Sequence, residues 1–553
     1  MTEFTVTVID TVGIQDYIFG SNNLKQNVGA SGLVNFVTHE MVHEELKKIG
    51  KTNIEKTNLD LNSRTLNSKT IEKDDLDSEL VYSGGGNTVI LFKNPNIAKE
   101  FTRGYTKKVL LKAPGLQLII AHNNFIWDKE NLEKKVRETI HKKITQKKYN
   151  HIYSSPLLGI GVNADCQYTG LPASKTIKND GKEIRVSREI STKLDFFPSA
   201  NDRLRNKFLN KDEKDLGLDF VYDFNEIGSK NESSYIAVVH IDGNGMGKRI
   251  LKYSERHGKD NREYINSIRA LSDSIEETSG NAIKAAIARF LESKEDEDGK
   301  YKIDGVIEFQ KKLPFRPIVF GGDDITFVCD GRLGLTLSEL LLRQLTSKNL
   351  SDGHPISARA GIAIVKTHYP FYQALKLAND LAESAKSHIK EIEKNSHSEE
   401  GKVSAIDWHF ASGGVIESIE NIRKREYTIK WKEGSAERSG NLYMRPLRLG
   451  ESVGTDWRSW NTFAEEIIPK FKGEEWEGKH NKIMHLREVL RNGPHEVEKF
   501  IKIYKDSLPK EQQLPKIKNN EGSDKTGWIG KICTCFDAIE ALDFFVRLEG
   551  GRK

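Results

Sequence analysis

Along this chain, two apolar runs each end on an aspartate, and each is followed by a pair of apolar runs flanking a glycine-rich turn. The first run is Val6-Thr7-Val8-Ile9-Asp10, and its later pair is Leu80 to Phe92 around Gly84-Gly85-Gly86-Asn87. The second is Tyr235-Ile236-Ala237-Val238-Val239-His240-Ile241-Asp242, and its later pair is Pro317 to Val328 around Gly321-Gly322-Asp323-Asp324. Short β-branched and aromatic runs bounded by glycine predict strands, and two joined by such a turn predict a hairpin. From Asp10 to Gly84 is 74 residues and from Asp242 to Gly321 is 79. Equal order and similar spacing predict an internal duplication. A duplicated unit predicts packing about a pseudo-two-fold axis that brings the two tips toward one cleft.

The segments between and beyond these runs extend the pattern. Gly115 to Ala121 reads as a fourth strand of the first copy and Ile356 to Val365 as its counterpart in the second. Ile268 to Leu291 and Phe371 to Lys390 read as helices, the latter with a stripe at Leu375, Ala378, Leu381 and Ala385. Asn53 to Asp77 reads as a polar insertion, and Glu292 to Asp298 as an acidic surface loop. Beyond Asn441, Phe463, Ile467 and Ile468 and then Phe536, Ile539, Leu542, Phe545 and Val546 recur at helical spacing. The predicted class is α+β, with two copies of one strand-and-hairpin unit, a linking region and a C-terminal helical domain. The boundaries are 1–150, 151–230, 231–430 and 431–553.

Chemistry separates the two copies. Gly321 and Gly322 permit backbone conformations that bring a ligand close, while Asp323 and Asp324 offer hard oxygen donors. If the strand ending on Asp242 pairs beside that hairpin, three carboxylates meet at one sheet end, where they repel unless a cation joins them. Gly86 and Asn87 stand in the places of Asp323 and Asp324, and a glycine with a neutral amide does not hold a dication as two carboxylates do. The first copy therefore reads as non-catalytic. Successive strand residues face opposite ways, so which of Asp323 and Asp324 ligates directly stays open. Gly243, Asn244, Gly245, Gly247 and Lys248 form a glycine-rich loop whose amides suit a triphosphate, but the G-x-x-x-x-G-K-[ST] pattern is absent and a P-loop ATPase is disfavoured.

The IDGNGMGK loop, the VFGGDDITFV hairpin and the SARAGIAIVKTHYPFYQALKLANDLAESAK stretch resemble the palm domain of the large polymerase-like subunit of type III CRISPR effector complexes. The Gly13-Ile14-Gln15 opening and the GGGN turn resemble that family's first palm. The resemblance covers most of residues 1–450 and implies that the two copies are ferredoxin-like palm domains. It implies a metal-dependent nucleotidyltransferase that joins ATP into cyclic oligoadenylate, a ribose hydroxyl attacking the α-phosphate with pyrophosphate leaving. It implies a two-metal Mg²⁺ or Mn²⁺ site on Asp242, the Ile241 carbonyl, Asp323 and Asp324. Nucleotide would meet Gly243, Asn244, Gly245, Gly247, Lys248, Gly321 and Gly322, with Gly85 and Gly86 on the acceptor side. Lys386 either faces the phosphates, as in related cyclases, or is an ordinary surface lysine. Implied partners are CRISPR RNA and target RNA within a multisubunit complex, with small subunits on the C-terminal helical domain. A stand-alone cyclic nucleotide synthase and a vestigial scaffold subunit are the alternatives.

Charge and composition bound these expectations. A net charge of +5 with 30% charged residues leaves nucleic-acid contact local. A basic run, Lys134, Lys135, Arg137, Lys142, Lys143, Lys147 and Lys148, reads as a solvated face or as an RNA or partner contact. Cys166, Cys329, Cys533 and Cys535 contain no C-x-x-C pair, which puts the family's zinc in doubt. His39-Glu40-Met41-Val42-His43 matches H-E-x-x-H but reads as an ordinary amphipathic helix, with no third ligand in prospect. With no His-Asp dipeptide, no nuclease activity is expected. With neither a leader nor a long apolar run, a cytoplasmic chain without a membrane segment is expected.

Overall fold

A computed structural model describes residues 3–55, 66–150, 161–179, 181–227, 234–293, 300–396, 403–411, 413, 417–450, 457–473, 476–504, 514–517, 520 and 522–548. Most of the acidic run Glu292 to Asp298, and part of the polar insertion from Asn53 to Asp77, lie outside the described residues.

Both predicted copies fold as βαββαβ units. In the first, the strands lie in the order Ser78–Gly84, Asn87–Phe92, Glu3–Val12, Gln117–Ile126, every neighbour antiparallel. In the second, Phe315–Phe320, Ile325–Asp330, Tyr235–Gly243 and Ala358–Lys366 repeat that order and sense. Two more strands extend this sheet. Ala405–Ala411 runs parallel to Ala358–Lys366 after the helix Phe371–Ser396, as a parallel neighbour must after a crossover, and Leu447–Arg448 pairs on its far side. The central strands are apolar almost throughout because helices cover them: Ile236 through Val239 and Ile362 through Val365 are buried.

The two units pack reciprocally, each with a helix against the first strand of the other's hairpin. Each hairpin's first strand carries a bulge at the same place, where Val81 and Ile318 drop out of the ladder between Leu80 and Tyr82 and between Pro317 and Val319. A bulge leaves a backbone group without its ladder partner. In both copies the other palm supplies one: Ser31, on the first-palm helix Leu24–Phe36, donates to the Ile318 carbonyl, and Arg269, on the second-palm helix Asn261–Leu291, donates to the Val81 carbonyl at 2.9 Å. Arg269 and Arg262 also hold Glu79, a fully buried carboxylate, at 2.7 and 2.6 Å. The helix Phe371–Ser396 meets the first palm too, with Asn379 donating to Gln15 and Phe371 against Phe19.

The linking region packs the helix Arg188–Phe208 on the first palm, and Cys166 lies buried with Val186 and Ile190 rather than with another cysteine. The C-terminal region, expected to be helical, is mixed: among the described residues its helices stand beside a small sheet, in which Thr428–Glu433 and Ala436–Asn441 join Ile532–Cys533 and Trp528–Ile529. No helix among the described residues is long and apolar enough to cross a membrane.

Candidate active site

The site lies where the strand Tyr235–Gly243 leaves its sheet. Alternation along that strand puts His240 and Asp242 on one face and Ile241 on the other, fully buried and in register with Ile325 and Ala360. Ile325 opposite Ile241 brings Asp324 beside Asp242. The turn closes through Gly321 and Gly322 at φ +124° and +96°, conformations that suit glycine alone, and Ser279 donates to the Gly322 carbonyl.

Asp323 folds over the end of the strand. A Cβ on Gly243 would stand 2.7 Å from the Asp323 Cβ and 2.8 Å from its Oδ2, so the missing side chain at 243 is the space that Asp323 fills. Gly243 thus serves a carboxylate as well as the loop it opens. Burial, then the charge of Asp242, pushes the Asp323 carboxyl up to about 6. Asp242 is raised as well, by burial first, with Arg359 opposing.

Sequence reasoning passed over the cations. Arg359, in register opposite Asp242, pairs through Nη2 with Asp242 Oδ2 and lies 3.2 Å from Glu383 Oε1. Its Nη1 donates to the Gly243 carbonyl and to Asn244 Oδ1, both at 3.2 Å. His240 Nδ1 stands 3.3 Å from Asp324 Oδ1. Burial pulls the imidazole pKa down, but the hydrogen bond and charge of Asp324, with Asp242, raise it overall. Arg359 and His240 were both visible in the sequence as single charged or titratable residues inside otherwise apolar strands.

The other predicted positions fall out as follows. Asn244 is spent on structure, donating to the Val403 carbonyl at 2.8 Å while accepting from Arg359. Gly245, at φ +64°, precedes the helix Met246–His257, whose first turn contains Gly247 and Lys248. Lys386 binds Glu383 at 2.8 and 2.9 Å, one step from the aspartates. In the first palm, Asn87 lies opposite Asp10, as Asp324 lies beside Asp242, and Lys148 pairs with Asp10 at 2.6 Å. A Cβ on Gly86 would meet Ile14 at 2.5 Å, whereas one on Gly85 would meet open space. Bulk at 86 therefore collides with the first palm itself, and only 85 faces outward.

The basic run stays largely at the surface, with several of its ammonium groups tied back to the first palm. Lys143 and Lys147 donate to the carbonyls of His122 and Ile120 at 2.8 and 2.6 Å, Lys148 holds Asp10, and Lys135 and Lys142 pair with Glu130 and Glu138. In the H-E-x-x-H segment, Val37–Met41 is a π-helical turn, and Glu40 pairs with Arg203 at 2.5 Å.

The aspartates offer the hard, mutually destabilised oxygens that suit Mg²⁺ or Mn²⁺. Yet among the described residues no three His, Cys, Asp or Glu side chains are gathered as a metal cage. Two of the three carboxylates are already engaged, Asp242 by Arg359 and Asp324 by His240.

Residues 235–397 match the family model for Cas10/Cmr2, second palm domain. The second palm thus resembles that family's second palm domain. The whole chain is similar in fold to solved Cas10-type structures. It is 14% identical to Csm1 of T. onnurineus (TM-score 0.54), and 13% identical to the apo Csm1-Csm4 cassette (0.54) and to that cassette in complex with cA4 (0.52). Each match covers 99% of this chain and 70% of the other. No curated protein matches. A Cas10-like subunit with a palm of cyclase fold is what these likenesses support, and the GGDD carboxylates lie inside the matched Cas10/Cmr2 segment.

Proposed function

We propose that this chain is a nucleotidyltransferase that joins ATP into cyclic oligoadenylate, acting as the large subunit of an RNA-guided type III CRISPR effector. The observation that carries the reading is the meeting of Asp242, Asp323 and Asp324 at one sheet end inside a Cas10/Cmr2 palm. In this reading one nucleotide sits on the aspartates of the second palm and a second offers its ribose hydroxyl from the first palm, at Gly85.

Asp242, Asp323 and Asp324, with the Ile241 carbonyl, would hold Mg²⁺ or Mn²⁺. Such a cation, when bound, neutralises the developing charge and favours the attacking alkoxide. The chain's own residues do the rest. The glycines at 321 and 322 let the backbone approach phosphate, and the first turn of the helix Met246–His257 presents amides to anionic oxygens. Asp323, close to 6, is ionised at neutral pH and takes up a proton just below it. Partners follow from the relatives: the similar structures are of Csm1 with Csm4, and guide RNA, target RNA and small subunits are expected to assemble on this chain likewise.

A second reading is a catalytically vestigial scaffold, and the Arg359–Asp242 pair is the observation that favours it. The purified chain should be incubated with each nucleoside triphosphate and Mg²⁺ or Mn²⁺, with and without partner subunits, guide and target RNA, and the products weighed by mass spectrometry. Adenylate oligomers that appear with ATP and rise with target RNA support the proposal. Output indifferent to RNA and partners favours a stand-alone cyclase. No product under any condition favours the scaffold.

A further inference from the structure

We propose that Arg359 is a resident counter-ion of the second-palm aspartates, which a divalent cation must displace from Asp242, and that Glu383 is where the guanidinium goes. The proposal deepens the metal-site reading above and rests on it.

The geometry is that of a switch with two stations. Arg359 Nη2 already touches both carboxylates, paired with Asp242 Oδ2 and 3.2 Å from Glu383 Oε1. Its side chain is only 5% exposed, whereas that of Glu383 is 59% exposed, so the two stations differ in their access to water. Its Nε is buried without a hydrogen-bond partner, so Arg359 is under-satisfied where it stands. Lys386 holds Glu383 from the far side through both carboxylate oxygens. Burial pushes the Glu383 carboxyl up, but the hydrogen bond of Lys386 and the charges of Arg359 and Lys386 outweigh it and hold it below its usual range, as an anion.

The consequence is a charge count. Three aspartates with one guanidinium among them leave less negative charge for a metal than three alone, and a cation arriving at Asp242 meets Arg359 at the same oxygen. A guanidinium that stayed would repel the cation, and one that left without a partner would be a buried, unpaired charge. Glu383 removes that second cost, because a shift of Nη2 from one carboxylate to the other keeps a pair throughout. The count also accounts for the absence of a gathered three-carboxylate cage among the described residues.

The two carboxylate stations give opposite signs to two substitutions. With Mn²⁺ alone as probe, titrated into the full chain by calorimetry or followed by its paramagnetic resonance, Arg359→Gln should bind about tenfold tighter than wild type. Glu383→Gln should bind several-fold weaker, because Arg359 then has nowhere to go. The double variant should match Arg359→Gln, since Glu383 matters only through the arginine. A purely structural Arg359 predicts the reverse: weaker binding in a destabilised Arg359→Gln and no effect of the exposed Glu383. Should Arg359→Gln fail to fold, the Glu383→Gln arm still decides, and unchanged Mn²⁺ affinity there overturns the proposal. The metal-site reading fails separately. If wild type binds Mn²⁺, and Asp323→Asn loses it, while Arg359→Gln binds no tighter, only the counter-ion proposal falls. If no variant binds Mn²⁺ saturably, both fall.

Discussion

The two hairpin tips occupy equivalent places in sheets of the same order, and both aspartates at the strand ends are met by a cation from the chain itself. They differ in how the charge closes. At the first tip, Asp10 stands opposite Asn87 and takes Lys148, one carboxylate to one ammonium, so no charge is left over. At the second, Arg359 pairs with Asp242 alone and His240 stands against Asp324, and burial first, with the neighbouring carboxylates adding to it, pushes up the carboxyls of Asp242 and Asp323. In the strand that supplies Arg359, the first palm has Ile119 at the equivalent register, so its cation comes from outside the sheet. A duplicated fold thus yields one site that is electrostatically complete and one that still calls for a cation.

The comparison breaks most visibly if the second tip is made like the first. Asp323→Asn with Asp324→Asn should lower product formation by about a thousandfold or more while the chain stays folded, checked by mass analysis beside circular dichroism. Undiminished synthesis would falsify the metal-site assignment. Next come the contacts that hold the units together. Arg269→Ala removes the donor to Val81 and one of two arginines on the buried Glu79, and should cost about 2 kcal/mol or more in denaturant unfolding. Gly85→Trp should cut product roughly tenfold with Mn²⁺ binding at the second palm unchanged, the equivalent of about 1.4 kcal/mol. Gly85→Asn, which tolerates the positive φ of that residue, is the control.

A smaller effect is set by pH. Asp323 exchanges its proton near 6, so apparent Mn²⁺ affinity should level off above that pH and fall by up to about tenfold per unit below it. Its folded pKa lies above the unfolded value. The metal-free chain therefore gains stability from this group as pH falls through 6, the opposite sign to metal binding, and melting curves with and without Mn²⁺ should cross-check the pair. Smallest is Ser31→Ala, the pseudo-symmetric partner of Arg269, at about 1 kcal/mol for one neutral hydrogen bond.

Much of this was legible from the residues. The alternation of apolar runs, the glycine turns and the matching spacings marked out both units, because strands and tight turns are local features. The meeting of Asp242 with the GGDD turn needed only that the two strands be neighbours, which they are. Arg359 was read as part of a buried strand and nothing more. Its role depends on which strand lies on the other side of Asp242, and strand order is set by the whole sheet rather than by any spacing. The same holds for Lys148, which reaches Asp10 from a basic run that otherwise stays at the surface. Gly86 was read as room for an acceptor, whereas the side chain of Ile14 fills the space beside it.

The two bulges carry a consequence for the history of such a duplication. Each hairpin is completed by a side chain from the other copy, at Ile318 by Ser31 and at Val81 by Arg269. Once a pair of copies has come to depend on each other in this way, mutations that erase chemistry at one tip are free to accumulate, while a deletion of that copy would strip the surviving hairpin of a backbone partner. The first half is then retained for its hold on the second, whatever chemistry its own tip keeps.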